Sequence, residues 1–487
     1  MAWADIVTVS PIVAAVLVAA AILVVDLIWP SRTGPAAGVS LLGLAAVAGV
    51  ILVNGQTAAT AFGGTYSADA LTTFLDLLFV AIVALTILFA PDYLGSRDLP
   101  LAEFAAGLVF AMTGAMLIAA ATDLLVLFLG LELMVIPGYL LAGFAKRDGL
   151  STEGAIKYFL LGSFSSAILL FGLALTWGMT GSTSMAGVAE HLAAIAAGGA
   201  PLSAGLAVGL AFMTAGVAFK VAAVPFHFWT PDAYQGSPTP VTGYLSVGPK
   251  VGAFALVLRL FVGALGPIKA DWFEVIVVLA AITMTLGNLV ALTQSNVKRM
   301  LAYSSIAHTG YILVGLAAYA AGRTEGLQAI LFYGAAYTFM NLGAFAVVGA
   351  LQRRPGVTSH LDTFAGLGRR EPVLGVLMTL FLLSLTGIPP TAGFFAKANI
   401  IIVAVQAGGP TAILAVIAVL NAAAAAFYYL RVVVYMFMRE PAGETEQPRH
   451  GRLAWTGLWI TAGLTILLGL FPGPLLDAAN IAARVFG

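Results

Sequence analysis

The segment AFKVAAVPFHFWTPD, residues 218–232, begins inside a long apolar run yet carries a lysine, a proline, a histidine and an aspartate. Proline removes a helical hydrogen bond and clashes with the preceding turn, so Pro225 predicts a break in a helix. Unwound backbone at membrane depth is stable only beside protein or a water-filled cavity. The segment therefore predicts a broken membrane helix that carries ionisable side chains, Lys220 and His227, next to the break.

The composition supports a membrane location for this segment. The chain has 487 residues, of which 61% are hydrophobic and only 9% are charged, whereas a soluble domain has about 25% charged residues. Apolar runs recur along the chain, each close to the roughly 20 residues that cross the hydrocarbon as a helix. Alternating ten-residue strands do not occur, which favours helices over a closed barrel. The sequence thus predicts an all-α polytopic membrane protein.

About fourteen transmembrane helices are predicted, and two of them, at 202–234 and 372–406, are long spans with internal breaks. The first span follows a stretch without a basic residue, so we expect it to be retained rather than cleaved as a signal peptide. The other spans are expected at 10–29, 37–54, 70–91, 101–121, 123–145, 154–180, 239–266, 272–293, 298–320, 325–351, 410–438 and 453–474.

The basic residues outside the spans fall mostly on one side of the predicted membrane. Those on the richer side are Arg32, Arg97, Lys146, Arg147, Lys298, Arg299, Arg353, Arg354, Arg369, Arg370, Arg439, Arg449 and Arg452. The opposite side has only Lys269, Arg323 and Arg484. Because cytoplasmic loops are rich in lysine and arginine, the first group is expected to face the cytoplasm and both termini the outside.

Two stretches of the chain resemble each other at an offset of 172 residues. PGYLLAGFA at 137–145 matches TGYILVGLA at 309–317, Gly162 matches Gly334, and the LR pair at 258–259 matches the pair at 430–431. Five spans per copy would place the copies, spans 4–8 and 9–13, upside down relative to each other, which is a common plan of transporters. The alternative is a chance match in a low-complexity apolar chain.

The repeat divides the chain into four expected parts, each copy having one discontinuous helix. They are three N-terminal helices at 1–100, two half-channel repeats at 101–267 and 268–440, and a C-terminal helix at 441–487. The second break, LTGIPPTAGFFAK at 385–397, contains Pro389 and Pro390 and is followed by Lys397.

Nine charged residues are predicted to lie within spans, where a charge costs about 2.5–3.5 kcal/mol on insertion scales. They are Lys157, Lys220, Lys250, Arg259, Lys397, Arg431, Asp26, Asp76 and Glu132. Glu132 is the expected partner of Lys220, because a buried carboxylate and a buried ammonium stabilise each other's ionised form. Such a pair can be part of a proton relay or a static tie between two helices.

Lys250 and Lys397 extend the predicted set across the bilayer centre. Together with Glu132 and Lys220 they could form a hydrated polar axis, although each lysine could also snorkel or act as a structural tie. Lys157 is expected either to snorkel or to modulate the relay. His227 and His308 could pass protons, since imidazole titrates near neutrality, or could be packing residues.

The other in-span charges are expected to have structural roles. Arg259 and Arg431 lie near span ends and are interpreted as anchors, while Asp26 and Asp76 are interpreted as interfacial or paired.

Several function classes are disfavoured. The chain has no cysteine, which removes cysteine-ligated iron–sulfur clusters and disulfides, and its five histidines show no metal or haem spacing. Nucleotide-binding and catalytic-triad motifs do not occur. Zero net charge and an apolar surface argue against nucleic-acid binding. We therefore expect no cofactor or metal in this chain.

The opening segment continues as AYQGSPTPV at 233–241, and the whole stretch resembles the antiporter-like, proton-translocating membrane subunits of respiratory complex I. The stretches at 131–144, 294–317 and 369–397 resemble the same family. Among its three types the chain is most similar to the N type, because Lys397 stands where the M type has a glutamate. It also ends after its last span, without the lateral helix of the L type.

The resemblance implies a fold of about fourteen helices with two inverted five-helix half-channels. It implies that Glu132 and Lys220 form the first-half pair, that Lys250 is the connecting lysine, and that Lys397 belongs to the second half. The implied partners are other membrane-arm subunits, among them the M type and the small K and J subunits, together with lipids. FMN, iron–sulfur clusters and quinone are expected in partner subunits, and the expected location is the bacterial inner membrane.

Three other functions remain open from the sequence. A multisubunit cation/proton antiporter subunit would share the buried residues, and the neighbouring genes would distinguish it. A non-pumping scaffold of the membrane arm would use them only for assembly. A small-solute transporter would need a substrate-sized cavity, which nothing in the spans indicates.

Overall fold

The structure is a computed structural model that describes residues 3–55, 57–199, 201–352, 356–440 and 450–487. Arg353, Arg354 and Arg449, which were assigned above to the cytoplasmic side, lie outside the described residues.

The described part of the chain folds almost entirely into helices. In chain order, helices α1 to α20 are Trp3–Thr8, Ser10–Ile28, Thr33–Asn54, Ala70–Gly95, Leu101–Ala120, Leu124–Ala142, Gly149–Thr180, Met185–Ala197, Ala204–Lys220, Trp229–Gly236, Thr239–Val257, Lys269–Thr293, Val297–Ala320, Glu325–Leu351, Leu367–Arg370, Pro372–Thr386, Ala392–Ala407, Gly409–Met438, Arg452–Leu470 and Gly473–Ala483. A π-helical turn, Leu258–Ala264, continues α11.

Twelve helices among the described residues are long and apolar enough to cross a membrane. Two further spans are each divided, into α9 and α10 and into α16 and α17, at the two proline-containing segments. The total confirms the predicted polytopic fold of about fourteen spans. The short helices α8 and α20 were not predicted.

Polar residues at helix starts explain where several spans begin. The side chains of Asp69, Asp123, Asp148, Ser203 and Asn296 each accept a hydrogen bond from a backbone N–H in the first turn of the helix that follows. An N-terminal turn leaves its first N–H groups without intrahelical acceptors, so these short polar side chains favour helix initiation there.

The first break is held by side chains of other helices. The α12 residue Thr283 accepts a hydrogen bond from the backbone N–H of Val224 at 3.0 Å. The α13 residue Thr309 donates to the carbonyl of Val221 at 2.6 Å. Backbone groups that the break removes from the helix are thus satisfied inside the protein, as membrane depth requires.

The buried centre of the molecule lies on three helices. Every residue of α11 is buried, and α13 and α14 are nearly as enclosed. Helix α11 packs against α4, α5, α6 and α14, so it contacts both halves of the chain. Lys250 on α11 and His308 on α13 are therefore held inside the protein and away from lipid.

A short hairpin, which was not predicted, precedes α4. Strands β1 (Ala59–Ala61) and β2 (Tyr66–Ala68) pair antiparallel, with Ala61 opposite Tyr66. The hairpin packs next to the start of α4 and against α5, and Tyr66 is buried.

Corresponding contacts occur in both halves of the chain. Just before α6, Asp123 forms an isolated β-bridge with Ser184, and just before α13, Asn296 forms one with His360. In each case the bridging residue is also the N-cap of the helix that it precedes.

Candidate functional site

Lys220 is the last residue of α9 and is buried, with 7% of its surface exposed. Its Nζ donates to Ser166 Oγ at 2.8 Å and to the carbonyl of Gly162 at 3.3 Å, both on α7. An ammonium group has three N–H donors. Two neutral partners therefore leave one proton of the charged form without an acceptor.

Glu132 and Lys220 do not form the direct ion pair that their burial suggested. No ion pair of 4.0 Å or less joins them among the described residues, although Glu132 is close enough to act on Lys220 electrostatically. The buried Oε1 of Glu132 has no hydrogen-bond partner.

Tyr139 lies close to both members of this pair. Its hydroxyl interacts with the Ser166 side chain, which is also a hydrogen-bond partner of Lys220, and electrostatically with Glu132. A Cβ added at Gly162 would lie 2.3 Å from the Tyr139 hydroxyl oxygen, so only glycine admits this close approach. Gly162 also supplies the carbonyl that Lys220 contacts, which ties the tyrosine and the lysine to one point on α7.

Lys250 lies in the middle of α11 and is also buried. Its Nζ donates to Ser305 Oγ at 2.6 Å and contacts the carbonyl of the same residue, on α13. The ring centre of Tyr337 is 5.4 Å from Nζ, a distance that allows a cation–π attraction. Like Lys220, this amine has hydroxyl and carbonyl partners and no carboxylate.

His308 lies one turn along α13 from Ser305 and is surrounded by tyrosines. Its Nδ1 is 2.7 Å from the hydroxyl of Tyr333, and its Nε2 is 3.4 Å from the hydroxyl of Tyr429. Lys250 and Lys397 both act on it electrostatically. The imidazole therefore lies between the two lysines, with a hydroxyl group at each ring nitrogen.

Lys397 lies on α17, just after the second break, and is buried. Its Nζ donates to the carbonyls of Leu385 and Thr386, at 2.8 Å each, at the end of α16. Helix C-termini carry partial negative charge and have free carbonyls, so they favour a cation there. The ring of Tyr311 is centred 4.9 Å from Nζ.

Helix α13 carries most of the polar groups that connect these lysines. Ser304 contacts the hydroxyl of Tyr429, Ser305 follows it directly, and His308 lies about one turn further along the helix. Sequence reasoning missed the hydroxyl partners Ser166 and Ser305. Their available signal was the small polar runs SFSS at 163–166 and YSS at 303–305 inside otherwise apolar helices.

A second polar cluster, also missed, lies beside Tyr311. Asn288 Nδ2 is 3.2 Å from Asn421 Oδ1 and 3.4 Å from the Tyr311 hydroxyl. Tyr428 donates to Asn288 Oδ1 at 3.0 Å. Two asparagines on different apolar helices are a sequence signal for buried hydrogen bonding.

Lys157 lies apart from the four main residues. Its Nζ is 2.6 Å from Glu153 Oε1 and 2.7 Å from Asp232 Oδ2, with 42% of the side chain exposed. Arg299 contacts the other oxygen of Asp232 at 2.6 Å. Asp232 therefore joins the sixth span to α13, close to the broken seventh span.

His227 lies within the first break. It is buried, and its Nδ1 has no hydrogen-bond partner. Its ring centre is 6.5 Å from that of Tyr303 on α13. The structure thus does not bring His227 into contact with Lys220, Lys250 or His308 among the described hydrogen bonds.

Arg259 and Arg431 make corresponding contacts at two helix ends. Arg259 Nε donates to the carbonyl of Ala119 at 2.7 Å, near the end of α5. Arg431 donates to the carbonyl of Leu292 at 3.0 Å, near the end of α12. Arg259, which was interpreted as an anchor near a span end, also forms an ion pair with Asp69, in which Arg259 Nη2 lies 2.7 Å from Asp69 Oδ2.

The two N-terminal aspartates differ from each other. Asp26 is partly exposed and accepts a hydrogen bond from the backbone of Ser31 near the end of α2, which agrees with an interfacial position. Asp76 is only 2% exposed, and its Oδ1 has no hydrogen-bond partner. The interpretation of Asp76 as interfacial or paired stays a prediction, and the Asp69 carboxylate and the Arg259 guanidinium both act on the Asp76 carboxyl group electrostatically.

A polar cleft of about 1330 Å³ opens where the loops before α5, α7, α11 and α13 meet. Lys298, which the sequence analysis counts among the basic residues of the cytoplasmic side, lines this cleft but is only 3% exposed. Its Nζ donates to the carbonyl of Ser237 at 2.5 Å. Arg97 and Asp148 also line the cleft, so charged groups of both signs surround this opening.

No group of three or more His, Cys, Asp or Glu side chains in the described part of the chain is arranged to hold a metal ion.

Residues 121–421 match a family described as NADH:quinone oxidoreductase/Mrp antiporter, TM. The chain is 41% identical to NADH-quinone oxidoreductase subunit N of Trichlorobacter lovleyi, over 96% of this chain and 94% of that protein.

Two solved structures have the same fold. A chain of respiratory complex I from Thermus thermophilus is 32% identical, with a TM-score of 0.80 over 96% of this chain and 99% of that one. A chain of the Mrp complex from Dietzia sp. is 23% identical, with a TM-score of 0.82 over 99% and 97% of the two chains. The second likeness shows the fold alone.

Proposed function

The chain belongs to the NADH:quinone oxidoreductase/Mrp antiporter transmembrane family, and on that premise we propose how it works. It is the antiporter-like, proton-translocating N-type subunit of the membrane arm of a respiratory NADH:quinone oxidoreductase. Quinone reduction takes place elsewhere in that complex, and this chain takes part in the translocase without redox chemistry of its own.

One observation carries the proposal: Lys220, Lys250 and Lys397 are buried, and none of them forms an ion pair with a carboxylate of the described residues. Lys220, Lys250 and Lys397 contact only hydroxyl and carbonyl oxygens, two for each amine. A permanent ion pair would hold the amine in its charged form, whereas two neutral partners satisfy the uncharged amine equally well. These side chains are therefore suited to gain and lose a proton.

The transfer starts at Glu132. A charge shift produced by quinone reduction changes the attraction between Glu132 and Lys220, and a weaker attraction favours loss of the lysine proton. The absence of direct contact between the two groups supports this step, because their interaction can change without breaking a close ion pair.

From Lys220 the proton reaches Lys250 along the first break. Thr309 Oγ1 lies 2.6 Å from the carbonyl of Val221, next to Lys220, and 3.4 Å from the carbonyl of Ser305. Ser305 contacts Lys250 directly. Water admitted at the unwound segment completes the connection.

From Lys250 the proton continues through His308 to Lys397. His308 has hydroxyl partners on both ring nitrogens, so a proton can enter at one nitrogen and leave from the other. The C-terminal end of α16 then favours the cationic form of Lys397.

Lys157 and His227 have supporting roles in this scheme. Lys157 shares Asp232 with Arg299 near the first break, and His227 lies within it. The cleft that Lys298 lines supplies water at the same end of the bundle. Pro225, Pro389 and Pro390 keep the two segments from closing into continuous helices.

The two half-channels are proposed to be inverted repeats at 101–267 and 268–440, between the N-terminal unit 1–100 and the C-terminal helix of 441–487. The corresponding contacts of Arg259 and Arg431 support this division. The side rich in basic residues faces the cytoplasm, which places both termini outside the bacterial inner membrane.

The chain works within a hetero-oligomer. The proposed neighbours are the M-type antiporter-like subunit, the small K and J subunits, and lipids. FMN, iron–sulfur clusters and quinone belong to partner subunits. Glu132 lies on α6 between Leu129 and Ile136, whose side chains are exposed on the surface of this chain. A neighbouring subunit that covers this surface could therefore act on the Glu132 carboxylate electrostatically.

The test compares Lys220→Met with Lys269→Met in the assembled complex reconstituted into liposomes. Lys220→Met should retain electron transfer to artificial acceptors and lose most proton movement, as should Glu132→Gln. Lys269 lies at a helix end outside the proposed route, so Lys269→Met should behave like the wild type. Full proton translocation by both Lys220→Met and Glu132→Gln would overturn the proposal.

The cation/proton antiporter and scaffold functions give different results. Co-purification with complex I subunits, rather than with antiporter subunits, separates the first from our proposal. A scaffold would show altered assembly in Lys220→Met with an unchanged ratio of protons to electrons.

A further inference from the structure

Asn341 is a buried amide that the route above does not use. It lies on α14 and is fully buried, between the apolar residues Met340 and Leu342. A polar side chain at membrane depth is costly, and it usually has hydrogen-bond partners and a functional role. The contacts of the Asn341 amide lead to the surroundings of Lys250.

One side of the amide is fixed by Ser246 on α11. Asn341 Nδ2 donates to Ser246 Oγ at 2.7 Å, and Ser246 Oγ donates to the carbonyl of Gly243 at 2.6 Å. A serine hydroxyl has a single proton. Because that proton goes to Gly243, Ser246 offers Asn341 only a lone pair, and the NH2 group of the amide must face Ser246. The carbonyl oxygen Oδ1 therefore points the other way.

The other side of the amide faces Tyr337, one turn earlier on α14. Residues four apart lie on the same face of a helix, and the Tyr337 hydroxyl interacts with the Asn341 side chain. This contact is longer or more bent than a well-formed hydrogen bond. Since Oδ1 can only accept, the phenol proton of Tyr337 is the donor in it.

Tyr337 also meets Ser305, the partner of Lys250. Its hydroxyl interacts with the Ser305 side chain, whose Oγ accepts from Lys250 Nζ at 2.6 Å. Tyr234 on α10 interacts with the same serine and donates its own proton to the carbonyl of Leu245 at 3.1 Å. Tyr234 can therefore accept the Ser305 proton, which leaves the lone pairs of Ser305 Oγ for Lys250.

The proton of the Tyr337 hydroxyl has two acceptors within reach. Among the described residues, Asn341 and Ser305 are the side chains that hydrogen-bond to this hydroxyl. Without Asn341, the proton would turn to Ser305 Oγ and compete with Lys250 for that oxygen. A lone pair stabilises a charged donor more than a neutral one. The orientation of Asn341 thus influences how firmly Lys250 holds its proton.

We propose that Asn341 is a positioning residue for proton transfer at Lys250. Its amide, oriented by Ser246, holds the Tyr337 proton away from Ser305 and so keeps Ser305 Oγ as an acceptor for the lysine. Asn341 takes up no proton itself and acts through Tyr337 and Ser305. This inference rests on the proposed function.

Other ionisable groups do not explain such an effect. Helices α4, α5, α6, α9, α10, α13 and α14 pack against α11. The titratable side chains that they bring to this region are Tyr337, Tyr234 and His308, on which Lys250 acts electrostatically. No charged side chain of the described residues acts on the Lys250 amine in this way. A change at Asn341 therefore reaches Lys250 through hydroxyl groups.

The experiment measures protons moved per electron transferred, as a function of pH, in the assembled complex in liposomes. Asn341→Leu removes the amide and keeps a side chain of similar size. Lys250 should then lose its proton at lower pH. The alkaline pH at which the ratio falls to half should decrease by roughly 0.4 to 1 pH unit, the effect of weakening one hydrogen bond. A wild-type pH profile would overturn the inference.

Two further variants distinguish positioning from packing. Thr338→Val is the matched control, because Thr338 is fully buried on the same helix and donates only to Gly334 of that helix, at 2.9 Å. It should keep the wild-type profile, and a shift equal to that of Asn341→Leu would overturn the inference. Adding Tyr337→Phe to Asn341→Leu removes the competing proton, so the profile should return toward the wild type. A double variant as shifted as Asn341→Leu would also contradict the proposal.

If Asn341→Leu does not assemble, Ser246→Ala decides, because it frees the amide to turn its NH2 group toward Tyr337. Ser246→Ala should shift the profile in the same direction, and an unshifted profile would overturn the inference.

Lys250→Met separates the two proposals. If Lys250→Met lowers the ratio and the profile of Asn341→Leu is unshifted, the positioning role is wrong and the proposed function stands. If Lys250→Met leaves the ratio at the wild-type value, the proposed function fails, and the role of Asn341 with it.

Discussion

Removing the hydroxyl group of Ser305 should impair proton transfer at Lys250. Ser305 Oγ is 2.6 Å from Lys250 Nζ, and Ser305 is fully buried. A hydrogen bond to a charged group contributes about 1.5–3 kcal/mol, and about 1.4 kcal/mol corresponds to a tenfold change in an equilibrium. The same bond to the neutral amine contributes about 0.5–1.5 kcal/mol. Ser305→Ala should therefore shift the balance between ammonium and amine by the difference, about 1–1.5 kcal/mol, or roughly 5- to 13-fold toward the amine.

The assay measures the initial rate of proton translocation per NADH oxidised in reconstituted liposomes. Ser305→Ala should lower this rate, and Ser305→Thr, which keeps a hydroxyl, should restore much of it. The control is Ser40→Ala on α3, since Ser40 is equally buried but donates only within its own helix, to Ala36 at 2.7 Å. Equal rates for Ser305→Ala and Ser40→Ala would refute the role of this contact.

Two other substitutions test the packing at the second break and the ion pairs of Lys157. Gly393→Ala should destabilise the complex by about 1–3 kcal/mol or more, because its Cβ would lie 1.8 Å from the Ser384 carbonyl oxygen. Gly463→Ala, with no atom within 4 Å of the new Cβ, is the matched control, and thermal denaturation of the purified complex measures both. Lys157→Met should slow proton translocation without abolishing it, because exposed ion pairs contribute little. A loss as complete as that of Lys220→Met would place Lys157 in the main route.

The positions of the buried amines were predictable because composition and helix-breaking residues mark them directly. A lysine within an apolar run, such as Lys220 or Lys397, is recognisable from the sequence alone. Prolines nearby indicate where the helix is interrupted. The sequence does not show in the same way which side chains on different helices contact each other. Glu132 and Lys220 were expected to be partners, yet the closest oxygens to Lys220 belong to Ser166 and Gly162.

Hydroxyl partners were missed for a related reason. Ser305 and Tyr333 are common residue types in helices, and only the tertiary arrangement distinguishes a ligand of an amine from a packing side chain. Burial was equally hard to predict for Lys298. Its place next to Arg299 at a helix start does not distinguish an exposed side chain from a buried one, whereas in the structure Lys298 is buried and its Nζ donates to the carbonyl of Ser237.

The amine of Lys397 also stabilises the C-terminal end of α16. The amine closes off the last two free carbonyls of that helix, so moving it away would uncover both in an apolar interior at a cost of several kcal/mol. A water molecule must therefore arrive as the amine departs. The proposed transfer through Lys397 therefore requires water at the end of α16, and it should stop when no water reaches that site.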